Sequence, residues 1–255
     1  MNLFADEPVF ADEPKLPTTV EIASSGESAL RVTGATGDAE RDWRLVHKLA
    51  RALTAGEATL PGIETAIPTY DAVLVEFDAM LLDATTVRGA IAAALEGIDV
   101  DAPLKAAPRR FRVPVRYGGE HGPDLVEVAA LAGLRPEEVV EAHAAPEYTI
   151  RCLGAPGGSP MLDGPDLGIP VPRLRSPRAH VRQGVVSLAG RQATITPAAA
   201  PGGWMLIGHT PLTVLDLAGS PFVPYEPGDT IRFHPISDEE HAALRGRRLA
   251  PEETE

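Results

Sequence analysis

Ala200-Pro201-Gly202-Gly203-Trp204-Met205-Leu206-Ile207-Gly208-His209-Thr210-Pro211 is the stretch on which the reading of this chain turns. Proline fixes φ and glycine accepts positive φ, so Pro201-Gly202-Gly203 reads as a sharp reversal. Residues 204–208 then read as a short strand with one large aromatic at its mouth, and Pro211 bars continuation in a central ladder. The strand ends on polar groups, which brings the indole of Trp204, the imidazole of His209 and the hydroxyl of Thr210 together. Two interpretations stand: a tight turn before a core tryptophan, which residue physics alone favours, and a ligand site.

Working outward, the surrounding chain has the same short-strand character. Residues 185–189, 192–196, 213–215 and 230–234 read as strands, with Glu226-Pro227-Gly228-Asp229 a turn before the last. Many short strands at close spacing indicate a β-barrel or a sandwich. Residues 238–255 are charged and are expected to fray as a tail, with at most a short helix. Upstream, 111–116 reads as a strand, followed by Tyr117-Gly118-Gly119-Glu120-His121-Gly122. Pro123-Asp124-Leu125 opens a helix with Leu125, Val128, Ala129 and Ala132 as its stripe, closed by Gly133. Pro136-Glu137-Glu138 opens a second, with acids suited to a helix N-terminus, running to about His143. Residues 148–153 return as a strand, and the Gly- and Pro-rich 154–170 leaves no room for an element.

The first half has a different grain. Residues 18–23 and 28–33 alternate as a strand pair, and 38–55 reads as a helix with Trp43, Val46, Leu49, Ala50 and Leu53 at 3/4 spacing, stopped by Gly56. Residues 63–68 and 72–77 form a second strand pair. A second helix covers 85–95, with Thr85 or Thr86 as its N-cap and Gly97 ending it. The order β-β-α-β-β-α suits helices on one face of an antiparallel sheet. The expected organisation is an acidic disordered tail over 1–16, a small α+β domain over 17–101, a mainly β domain over 102–237 and the charged tail beyond. The N-terminal tail holds the repeat Phe4-Ala5-Asp6-Glu7-Pro8 and Phe10-Ala11-Asp12-Glu13-Pro14, too acidic and Pro-broken to bury surface.

Composition narrows the function. With a net charge of −13 in 255 residues, the chain is not built to bind nucleic acid or an anionic membrane non-specifically. The single Cys152 excludes an internal disulfide framework and fits a reducing compartment. There is no long apolar run and no basic leader, so a cytoplasmic location is expected. No P-loop is present, and Ser159 in Gly157-Gly158-Ser159-Pro160 lacks a nucleophile elbow's second glycine. The seven histidines are dispersed, none paired at metal-ligand spacing, so no metal is expected. Cys152 sits among apolar neighbours and reads as inert packing. A complete catalytic set in one chain is missing.

Several residues remain as ligand candidates. Arg173, Arg175 and Arg178 lie in a Pro-punctuated loop, and their planar guanidinium groups suit carboxylate or phosphate as well as local ion pairs. His143, at a helix end, suits a general base or a dipole-stabilised surface position. Gln192 suits an amide ligand or backbone satisfaction.

Taken together these stretches resemble the family of allophanate hydrolase subunit 1 and the 5-oxoprolinase B-subunit, which includes KipI-type kinase inhibitors. The carriers are Tyr117 to Leu125, His143 with Tyr148, Leu153-Gly154, Pro172-Arg173-Leu174, Pro177-Arg178, Ala189-Gly190 with Gln192, and Pro201 to Gly208. Gly26 to Leu30, Leu60 to Ile63 and Val73 to Phe77 agree as well. The resemblance spans about residues 18–237. It implies a cyclophilin-like β-barrel after the α+β domain and a subunit 2/C-like partner with which a joint site is completed. It also implies a third, LamB/YcsF-like component and an assembly that opens a lactam at the expense of ATP. The carboxyltransferase part of urea carboxylase is a related use of these domains. On this resemblance His143 and His209 are the catalytic candidates, with Arg173, Arg178, Gln192, Trp204 and Thr210 binding substrate. Three departures stand out: the aromatic L-G-F-x-P-G-F-P-Y-L loop is replaced over residues 153–162 by one without aromatics, Q-T-G-x-Y-P becomes Gln192-Ala193-Thr194-Ile195-Thr196-Pro197, and His209 takes an arginine's place. The alternatives are a non-catalytic inhibitor of a sensor histidine kinase and a diverged small-molecule enzyme or binder on the same scaffold.

Overall fold

A computed structural model describes residues 19–55, 59–154 and 157–253. The repeat-bearing tail and Gly56 therefore lie outside the described residues. Two compact units divide between Leu104 and Lys105.

In the first unit, β1 (Val20–Ser24) and β2 (Ala29–Gly34) form a hairpin, followed by α1 (Ala39–Thr54), the hairpin β3 (Ile63–Pro68) and β4 (Ala72–Phe77), and α2 (Ala84–Glu96). The antiparallel sheet has the order β1-β2-β4-β3. The period-2 alternation of β4 buries Val73, Val75 and Phe77, and these share one core with Val46, Leu49 and Leu53 of α1 and Val87 and Ile91 of α2. Asp38 caps α1 by accepting from Arg41 N at 2.8 Å. The α2 cap is Asp83, not Thr85 or Thr86: its carboxylate accepts from Thr86 N at 2.7 Å, which places both threonines inside the first turn.

The second unit is a closed barrel. It is built from β5 (Arg110–Tyr117), α3 (Leu125–Ala132), α4 (Pro136–Ala144), β6 (Tyr148–Gly154) and β7 (Ser159–Asp163). β8 (Arg178–Val181), β9 (Val185–Ala189), β10 (Gln192–Ile195), β11 (Ala200–Gly202), β12 (Met205–His209), β13 (Thr230–Pro235) and α5 (Asp238–Leu244) complete it. Seven strands close in the order β10-β7-β6-β13-β5-β12-β9, while β11 and β8 form a separate ribbon. β5 and β13 run parallel, Thr230 opposite Arg110 through Pro235 opposite Val115; the other barrel pairs are antiparallel. Phe111, Val113, Val115, Ile150, Leu162, Leu188, Ile195, Ile207, Ile231 and Phe233 belong to its core.

Four expectations are corrected here. The Gly- and Pro-rich run does contain a strand, β7, because β6 and β10 supply partners on both sides. Residues 213–215 form no strand; Thr213 makes only an isolated bridge to Arg248. Pro201-Gly202 is extended and paired with β8 instead of reversing, and neither Gly202 nor Gly203 has positive φ. Their small size serves close approach: a Cβ on Gly202 would lie 3.1 Å from Val181 Cγ2. Finally, residues 238–253 do not simply fray. Ser237 and Glu240 form a capping box on α5, and Leu249 is 2% exposed, its N–H donating to Thr213 O.

Candidate functional site

The site forms where the turn after β5 is pressed onto β12. Gly118 and Gly119 adopt left-handed φ values of 68° and 55°, which turns the chain back across the strand. Gly122 then meets β12 so closely that a Cβ would sit 2.0 Å from Ile207 O. Asp124 N donates to Leu206 O at 3.0 Å, and Asp124 Oδ2 accepts from Leu206 N at 2.7 Å, so one residue satisfies both backbone groups of Leu206. Its other oxygen, Oδ1, accepts from Arg178 Nη2 at 2.7 Å. Asp124 is buried, and Arg178 Nη1 is buried too, with no hydrogen-bond partner among the described residues. Nearby, Leu174 N donates to Gly203 O, and the Arg173 guanidinium would lie 3.6 Å from a Cβ on Gly203. Arg173, Arg178 and the backbone leading into Trp204 thus meet, while Trp204 itself is half-buried.

At the far end of β12 the arrangement changes. The β5–β12 register sets His209 opposite Arg116, and Arg116 holds Asp238 of α5 at 2.7 Å. These two links draw three distant histidines together. His209 Nδ1 lies 2.8 Å from His241 Nε2, and His209 Nε2 lies 3.0 Å from Gln183 O. The ring centroids of His121 and His241 are 4.4 Å apart, and those of His121 and His209 are 5.8 Å apart. One ring nitrogen from each of the three lies within 4.8 Å of the others. Burial, helped by the Arg182 charge and by His241, holds the His209 imidazole down to about 4. Burial also lowers His121, with Arg182 adding to it, and lowers His241, with His121 adding to it. All three rings are therefore neutral at pH 7.

The remaining candidates lie elsewhere. His143 is fully buried in α4: its Nδ1 is 2.7 Å from the Tyr117 hydroxyl, its carbonyl accepts from Tyr148, and its Nε2 has no partner among the described residues. Burial pushes the imidazole down to about 3, so it is a neutral core residue and not an exposed base. Thr210 is 1% exposed, and its N–H donates to Gly184 O. Gln192 lies on β10 opposite Ala189 and Asp163, apart from the arginines in the ladder. Cys152 is buried and its thiol is pushed up to about 11, as inert packing requires. Sequence reasoning gives Asp124 only as a helix opener and passes over His121 and His241. The signal that could have found Asp124 is the turn between β5 and α3, where a double glycine and then an aspartate follow a strand directly.

The family described as carboxyltransferase domain, subdomain C and D, matches residues 20–224. The chain belongs to this family. Among relatives, the 5-oxoprolinase B-subunit of Bacillus subtilis is 33% identical over 88% of this chain and 96% of its own length. The solved structure of TTHA0988 is 32% identical with a TM-score of 0.68, covering 82% of this chain; the chain spans only 40% of that longer polypeptide. Urea carboxylase of Kluyveromyces lactis aligns over 98% of this chain and 25% of its own, with a TM-score of 0.74 and 19% identity, a likeness of fold. The carboxyltransferase match takes in β5, β12 and the Asp124–Arg178 pair, and stops before β13 and α5. His241 thus falls outside the matched residues. No helix among the described residues is long and apolar enough to cross a membrane.

Proposed function

We propose that this chain is a subunit of an ATP-dependent amide or lactam hydrolase of the 5-oxoprolinase type, completing a shared site with a subunit 2/C-like partner and a LamB/YcsF-like component. The observation that carries the reading is the 33% identity that runs through 96% of the Bacillus subtilis 5-oxoprolinase B-subunit. ATP enters through the assembled complex. Geometry favours the Asp124–Arg178 pair as this chain's contribution: Asp124 fixes one guanidinium nitrogen, which leaves the partnerless Nη1 to meet a carboxylate or phosphate. Arg173 adds a second cation and Trp204 a wall for a small ring. His209, Thr210 and Gln192 lie apart from this pair, and His143 acts as a positioning residue through Tyr117.

The test is co-expression with the partner subunits, co-purification, and an assay of 5-oxoproline-dependent ATP hydrolysis. A stable complex that turns over is expected, and Arg178→Ala within it is expected to lose roughly 10–100-fold in kcat/KM, the scale of one charged hydrogen bond. Failure of the wild-type chain to join the complex overturns the reading. Full activity in Arg178→Ala moves the substrate elsewhere.

A further inference from the structure

We infer that His121, His209 and His241 form a binding site for one divalent first-row transition-metal ion of the zinc class. The site is separate from the proposed hydrolase chemistry and does not depend on it. Three features support it. The ligands come from three different elements, the turn after β5, the end of β12 and the helix α5, yet one nitrogen of each lies within 4.8 Å of the others. Neighbouring groups already orient two of the rings. Gln183 O takes the N–H of His209 Nε2 at 3.0 Å, which leaves Nδ1 as the lone pair and turns it toward His241 Nε2. A backbone carbonyl in that position is the usual outer partner of a metal-bound imidazole. On His121, Nδ1 accepts from Arg182 at 3.0 Å, while Nε2 lies 3.6 Å from Glu120 and 3.8 Å from Asp238.

The dimensions suit the ion. At a Zn–N length of about 2.0 Å a tetrahedron has edges of about 3.3 Å. The His209–His241 pair, at 2.8 Å, opens by about half an ångström, and the widest separations close by about 1.5 Å at most, within the reach of ring rotation. Imidazole ligands favour zinc, nickel or copper over magnesium or calcium. With three protein ligands the fourth position is open to water or to an anion, and His121 and His209 are partly exposed, which provides a path of entry.

The test uses the full-length chain without an affinity tag, stripped with chelator and titrated with Co2+, then with Zn2+. The expected result is one retained equivalent of Co2+ with visible d–d absorption, displaced by Zn2+, and a zinc-edge X-ray absorption spectrum carrying the multiple-scattering pattern of three imidazoles. His209→Gln and His241→Phe are each expected to weaken binding at least ~10-fold, the loss seen even for outer partners of a metal site. His180→Gln, on the exposed face of β8, is expected to leave it unchanged. No retained Co2+, or an all-oxygen zinc shell, overturns the inference in the wild-type protein alone, whatever the folding of the variants. Unchanged affinity in folded His209→Gln overturns it as well.

Discussion

Replacing Asp229 with asparagine tests how the barrel is locked. The Asp229 carboxylate has no exposure and accepts five hydrogen bonds: from Lys105 Nζ at 2.6 Å, Arg109 Nε and Nη2 at 3.1 and 2.6 Å, and the backbone N–H groups of Arg109 and Glu226 at 3.0 and 2.9 Å. Asparagine keeps the shape but sets an NH2 against donors and removes the charge that two cations face. Removing one partner of a buried ionic cluster costs about 3–5 kcal/mol. Arg109 is 37% exposed, so the lower half of that range applies, about 3 kcal/mol. For a chain of this size that is a fall of roughly 6–12 °C in melting temperature. The pH dependence supplies a second check. Burial raises the Asp229 carboxyl, but the bonds from Arg109, Lys105 and Glu226 outweigh it and hold it below 3.8. Its contribution is therefore full above the unfolded carboxylate range and is lost as pH falls through the lower folded value. Thermal melts followed by circular dichroism should show the full gap at pH 7 and a narrowing gap below about pH 4. A difference under about 2 °C at pH 7, or a gap constant with pH, refutes the reasoning.

Two further outcomes follow from the core and the turn. The His143 imidazole stays neutral in the fold down to about 3 but protonates near 6.5 when unfolded, so the native protein loses stability as pH falls below about 6.5. Urea titrations of His143→Asn between pH 4 and 6 should show a slope shallower than wild type by about 1.4 kcal/mol per pH unit, and equal slopes would count against a buried neutral histidine. Gly122→Ala drives a methyl group into the Ile207 carbonyl and should cost about 2–3 kcal/mol in denaturant unfolding; a neutral result would mean β12 and the turn are not in that contact.

What can be read in the sequence is what neighbouring residues decide. The stripe Trp43, Val46, Leu49, Ala50, Leu53 produces α1, and the alternation in 72–77 produces β4, because both patterns are local and strongly periodic. β7 is hidden because glycine and proline speak against a strand until β6 and β10 close around it. Pro201-Gly202 reads as a reversal for the opposite reason: the residues permit a turn, but pairing with β8 keeps them extended and the approach of Val181 favours a small residue at Gly202. At the site, the arginines stand out through composition, whereas Asp124 gains its role only once Leu206 and Arg178 are beside it. The histidines are illegible because sequence spacing reports ligands on one helix or loop, and these three stand on separate elements joined by a strand register and the Arg116–Asp238 ion pair.

The parallel pairing of β5 with β13 has a consequence for synthesis. The barrel's first strand lies between β13 and β12, and both leave the ribosome long after it. Until then Phe111, Val113 and Val115 lie on a strand without either of its neighbours, and β5 is an unpaired edge exposed to aggregation while β6, β7, β9 and β10 can already pair. The first unit has every strand of its sheet available by Phe77 and can finish folding while the second is still being translated. A ribosome stalled before Thr230 would release one folded unit and one open sheet, a species that chaperones and proteases would recognise by its missing last strand.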